Sequence, residues 1–212
     1  MLTLDHITVV AATLAEGAAY VEAALGVPLA PGGRHPLMGT HNRLLRLGEG
    51  MFLEVIARDP DALPVGRSRW FGLDESRMQR RLQERPFLAT WVARSDSISE
   101  VLALVPDVHA PVLRLTRGDL AWRMTVPEDG SMLFDGAFPA LIEWEGEHSH
   151  PATRLPDQGC ALTRLAIEHP DGIRLAGVLS PHLKDGRIHI GAGENVRLRA
   201  EISTPHGTRV LE

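Results

Sequence analysis

A stretch near the start of the chain, "LDHITVVAATLAE" (4–16), lies over "LATWVARSDSISE" (88–100) without a gap when the sequence is shifted by 84 (88 − 4). A strand-like apolar run and a helix start coincide in the two copies, Thr13 meeting Ser97 and Glu16 meeting Glu100. Ser or Thr followed three residues later by Glu is a capping box, in which each side chain satisfies an amide that has no partner inside the helix. Behind the first box, Leu14, Ala18, Val21, Ala24 and Leu25 recur at helical spacing, and Gly26 offers a left-handed stop. One supersecondary unit used more than once is the strongest constraint on this fold.

The rest of the unit follows from local pattern. A short extended piece is expected near Val27 to Ala30, and "HNRLLRL" (41–47) and "MFLEVIA" (51–57) read as a hairpin around Gly48-Glu49-Gly50. In the second copy "DLAWRMTV" (119–126) and "PALIEWE" (139–145) take these places, "LEVIA" matching "IEWEG" at an offset of 89 (142 − 53). A shift of 158 (162 − 4) gives a weaker third match at "LTRLAIEH" (162–169), with Asp171 at the cap position and Arg174 where the box needs Glu. "RIHI" (187–190) and "NVRLRAEIST" (195–204) supply further strands, and "GAGEN" (191–195) reads as the hairpin turn between them. The expected division is a first unit over 1–58, a connector over 59–86 with a helical "DESRMQRRLQER", a second unit over 87–146, a linker over 147–160, and a partial third unit or extension over 161–212.

Composition narrows the function classes. With 212 residues the chain can bury a sizeable core. A formal charge of −5 without a long basic run argues against nucleic acid or an anionic membrane as partner. Asp5, Glu16 and Glu22 interrupt any early membrane span, and the single Cys160 permits no internal disulfide, so a cytoplasmic protein is expected. There is no G-x-S-x-G, P-loop lysine motif, G-x-G-x-x-G fingerprint opening a helix, or C-x-x-C.

Side chains alternate along a strand, so regular strands put Leu4, His6 and Thr8 on one face, Phe52, Glu54 and Ile56 on one face, and Leu141, Glu143 and Glu145 on one face. By the repeat, His6 corresponds to Thr90 and Glu54 to Glu143. A carboxylate within a strand is costly to bury unless it is paired, hydrogen-bonded or bound to metal. An imidazole and two carboxylates converging in one cleft would suit a divalent metal such as Zn, Mn, Ni or Fe.

"LDHITVVAATLAEG", "GRHPLMGTHNRLLRLGEGMFLEVIA" and "PALIEWEGEHSHP" together resemble the vicinal oxygen chelate superfamily and its glyoxalase-like domains, over roughly residues 1 to 150. The resemblance implies an α+β fold in which paired βαβββ units form a curved mixed sheet with helices on its convex side, here followed by a partial third βαβ-type unit. It also implies a metal in the cleft held by His6, Glu54 and Glu143, with Thr90 where many metal-dependent members have His. Glu143 would be the catalytic group that moves a proton, acting on a small oxygen-rich substrate as a lyase, isomerase or dioxygenase would.

Other readings stay open on the same residues. A His6–Glu hydrogen bond without metal is one. His41, Asn42 and Arg43, near Gly39 and His35, are candidate substrate contacts or simply a turn entering a strand. His148 and His150 are either polar loop residues or metal ligands, and Trp70, Trp91, Trp122 and Trp144 are either core or pocket wall. The superfamily also includes metal-free proteins that sequester antibiotics, and Thr90 favours that alternative. A third reading makes the last unit the contact of a homodimer.

Overall fold

A computed structural model describes residues 1–105, 108–146 and 150–212. The first unit runs β1 (Leu2–Val10), α1 (Leu14–Leu25), β2 (Ala30–His35), β3 (Thr40–Arg46) and β4 (Phe52–Arg58). α1 starts where the capping box puts it: the Thr13 hydroxyl accepts from the Glu16 amide at 3.2 Å, the Thr13 amide donates to Glu16 Oε2 at 3.2 Å, and Gly26 ends the helix at φ 74°. β2 begins only at Ala30, later than the expected Val27 to Ala30, because Val27 and Leu29 are drawn into the core under α1 instead.

The connector forms α2 (Ser76–Glu84), and the second unit runs β5 (Phe87–Ser95), α3 (Ile98–Ala103), β6 (Val112–Arg117), β7 (Leu120–Thr125) and β8 (Ala140–Glu145), with a 3-10 turn at Leu133–Gly136 before β8. Eight strands form one mixed sheet in the order β2-β3-β4-β1-β5-β8-β7-β6. The sheet curves until the edge strands β2 and β6 approach one another.

The joint between the units is symmetric. β1 and β5 are antiparallel, with Ile7 opposite Trp91, His6 opposite Val92 and Thr8 opposite Thr90. Exchanging strands with the shift of 84 reproduces each pair, so an approximate two-fold axis passes beside Ile7 and Trp91. Each strand also carries a bulge: Asp5 is the extra residue on β1 and Ala89 the extra residue on β5, again related by 84 (89 − 5).

After the short α4 (Pro151–Arg154), the chain forms β9 (Ala161–His169), α5 (Gly172–Leu179), β10 (Ile188–Ala192), β11 (Arg197–Thr204) and β12 (Gly207–Leu211). Their order is β10-β9-β11-β12, with β10 parallel and β11 antiparallel to β9. "GAGEN" is therefore not a hairpin turn. α5 returns β10 to one edge of β9, and the chain must cross to the other edge to lay down β11.

Leu165, Ile167, Ala200 and Ile202 of this second sheet share one core with Val21 and Leu25 of α1 and with Trp91 and Leu141 of the large sheet. The C-terminal segment thus covers the convex side, where α3, of only six residues, leaves room. On the concave side, Trp70, Phe71 and Leu73 of the connector and Met78 and Leu82 of α2 pack over Val10, Ile56, Val92 and Met124.

Candidate functional site

The concave cluster leaves a cleft lined by His6, His35, Asn42, Phe52, Glu54, Arg117 and an aromatic wall that includes Trp70, Trp122 and Trp144. β1 supplies His6, and the bulge at Asp5 decides its surroundings. Leu2 and Leu4 point into the convex core and so do Ile7 and Val9, so the alternation changes phase between Leu4 and His6. Contrary to the regular-strand expectation, Leu4 does not share a face with His6, and Asp5 reaches round to it.

Asp5 is fully buried and accepts three hydrogen bonds: His6 Nδ1 at 2.7 Å, His150 Nε2 at 3.0 Å and Trp144 Nε1 at 2.9 Å. Burial alone would raise its pKa, but the hydrogen bonds from His150 and His6 outweigh that and hold the carboxyl well below the usual range. An ionised Asp5 fixes the proton of His6 on Nδ1 and presents Nε2 to the cleft, 3.7 Å from Glu54 Oε2, while the ring stacks on Phe52 at 4.4 Å. His150 Nδ1 accepts from the Ala152 amide at 3.2 Å, so its proton lies on Nε2, toward Asp5. His148 lies outside the described residues.

Glu54 sits opposite Thr8 on the parallel β1–β4 ladder, and its Oε1 accepts from Asn42 Nδ2 at 2.6 Å. Asn42 Oδ1 in turn accepts from the Gly33 amide at 2.8 Å and from Arg117 at 3.1 Å. Of the three substrate contacts expected on β3, Asn42 faces the cleft. His41 and Arg43 turn to the other face, beside Leu14, and Arg43 is exposed. His35 is buried with Nδ1 3.2 Å from Thr40 Oγ1, and burial, followed by the charge of Arg117, lowers its pKa to about 3.

Glu143 does not join His6 and Glu54. In the second unit Val92, the counterpart of Thr8, pairs with Ala140, so the counterpart of Glu54 is Ala140, at an offset of 86 (140 − 54). The expected offset of 89 was three residues too long, and an odd slip turns a strand residue to the opposite face. Ala140, Ile142 and Trp144 face the concave side, whereas Glu143 accepts from the Ile98 amide at the start of α3 and pairs with Arg123. Its role there is to cap a helix and hold an ion pair.

The donor set does not fit a three- or four-ligand metal site. His6 Nε2 and Glu54 converge, but their symmetry-related places hold Thr90, whose hydroxyl donates to the Gly136 carbonyl at 3.2 Å, and Ala140, which has no donor atom. The buried Thr8 hydroxyl has no hydrogen-bond partner among the described residues, yet it is a neutral alcohol. Among those residues no group of three His, Cys, Asp or Glu side chains could hold a metal ion.

A model of the glyoxalase-like domain matches residues 4–183. The chain belongs to the glyoxalase-like domain family. A hypothetical protein from Staphylococcus aureus shares the fold at 15% identity and TM-score 0.62, over 93% of this glyoxalase-like chain and 88% of its own. A methylmalonyl-CoA epimerase from Mycobacterium tuberculosis aligns at 14% identity and TM-score 0.41, over 68% of this chain and 88% of that one. One from Streptomyces coelicolor, in complex with 2-nitronate-propionyl-CoA, aligns at 14% identity and TM-score 0.43, over 70% and 99%. Among curated proteins, none matches. No helix among the described residues is long and apolar enough to cross a membrane.

The residues missed in the sequence are Asp5, Arg117 and the connector's Phe71. Asp5 carried a readable signal, since a second ionisable residue beside His6 in a buried strand demands its own partners. Phe71 sits at φ 57°, a left-handed conformation that non-glycine residues rarely adopt, and only the folded connector reveals it.

Proposed function

We propose that this protein binds a small organic molecule in the cleft between its first two units and needs no divalent metal to do so. The carrying observation is the pair Thr90 and Ala140 at the places related by internal symmetry to His6 and Glu54. A cleft with an apolar aromatic wall and a few convergent polar groups has the make-up of a small-molecule site. The polar end is preorganised: Asp5 orients His6, and Asn42 ties Glu54 to Arg117.

A thermal-shift screen of the full chain against small acids, alcohols and amines, run in EDTA and again with Mn, Ni or Zn, tests this reading. Stabilisation by at least one compound to the same extent in both conditions is expected. Stabilisation only with metal would overturn it in favour of a metal-dependent transformation.

A further inference from the structure

Arg117 stands at the end of edge strand β6 and reaches across the mouth of the cleft to β2 and β3. A Cβ on Gly33 would lie 2.6 Å from Arg117 Cδ, so the arginine lies over a strand that only glycine leaves open at that point. Its Nη1 donates to Asn42 Oδ1 at 3.1 Å and is 3.5 Å from His35 Nε2. Among the described residues it forms no ion pair, whereas Arg114 on the same strand holds Glu145 at 2.8 Å. Asn42 stands between the guanidinium and Glu54, whose Oε1 it occupies. Burial lowers the Arg117 pKa, and the charge of Glu54 only partly offsets it.

A second, smaller chamber adjoins the first through Trp70, Phe71 and Met124. Among the described residues no charged side chain lines it. Its two buried hydroxyls are already engaged, Thr90 donating to Gly136 O and Thr125 accepting from the Leu141 amide at 2.8 Å. One end of the combined space therefore offers an underused guanidinium, and the other offers only apolar contact.

We infer that the ligand is a monocarboxylic acid with an elongated, ring-bearing apolar body, its carboxylate on the free donors of Arg117 and its body running past the tryptophan wall into the second chamber. Guanidinium and carboxylate match in geometry as well as charge. Flat rings suit Trp70, Trp122 and Trp144. This assignment rests on the cleft-binding reading above and adds the ligand class to it.

Isothermal titration of the full chain in EDTA with a series from phenylacetate to 8-phenyloctanoate, each beside its primary amide and the matching amine, provides the test. The acid should bind about tenfold or more tightly than its amide, with affinity rising along the series and the amine weakest. Arg117→Gln should bring acid and amide to parity with both still bound, and Arg117→Lys should restore part of the preference. Equal binding of acid and amide, or tightest binding of the amine, overturns the carboxylate assignment and leaves the cleft reading standing. Acid preference that appears only when metal replaces EDTA overturns the metal-independent reading instead, and no binding by any series overturns both.

Discussion

Asp5 and His6 are neighbours on one strand, yet their side chains meet, Asp5 Oδ1 accepting from His6 Nδ1 at 2.7 Å. Neighbours on a regular strand point to opposite faces, so the contact exists only because β1 bulges at Asp5. Asp5→Asn keeps the shape but removes the charge that faces His6, His150 and the Trp144 indole. We expect it to lower unfolding free energy by about 2–4 kcal/mol in urea titration, the range for breaking a buried charged network. A loss below about 0.5 kcal/mol, within the scatter of ordinary surface substitutions, would mean that the network does not anchor the strand.

Glu143 separates a structural carboxylate from a site carboxylate. Glu143→Gln keeps an acceptor for the Ile98 amide and loses the charge facing Arg123, so a stability loss of about 1–2 kcal/mol with unchanged ligand affinity is expected. Glu54→Gln should instead change affinity, because Glu54 lines the cavity. A tenfold affinity loss in folded Glu143→Gln would place that residue back in the site.

Acid should weaken the fold through His35. The native state keeps its imidazole neutral down to about pH 3, against an ordinary pKa of 6.5. The unfolded chain therefore binds more protons between those values, and stability contributed by neutral His35 is present above pH 6.5 and lost as pH falls toward 3. The unfolding free energy of wild type minus that of His35→Gln should be flat above about pH 7.5 and fall with acid below about pH 6. A flat difference throughout would contradict a buried neutral His35.

The internal symmetry says which substitutions would complete a metal site. Thr90→His with Ala140→Glu places imidazole and carboxylate at the counterparts of His6 and Glu54. The double variant should gain about one Mn, Ni or Zn per chain by equilibrium dialysis, as four N/O ligands allow. Failure of the folded variant to take up metal would contradict the assigned equivalence of Ala140 and Glu54.

Much of this fold is legible in the sequence because its signals are local or repeated. The Thr13–Glu16 box, Gly26 and the shift of 84 locate α1, β1 and β5, and the β1–β5 ladder obeys that shift pair by pair. What is not legible depends on register. Matching Glu143 to Glu54 spans loops of different length, and a slip of three residues along a strand exchanges cleft for helix side. Asp5 needed the bulge, which one strand alone does not announce. Arg117 needed the curvature that brings β6 to β2, a property of the closed sheet rather than of any segment.

The proposed metal-free cleft rests on Thr90 and Ala140 standing at the places related by internal symmetry to His6 and Glu54. Elemental analysis of the full chain, purified without chelator and then dialysed against Mn, Ni or Zn, checks it. Well under 0.1 metal per chain, about the same in His6→Ala, is the result predicted from two ligands alone. About one metal per chain in wild type, lost in His6→Ala, would contradict it.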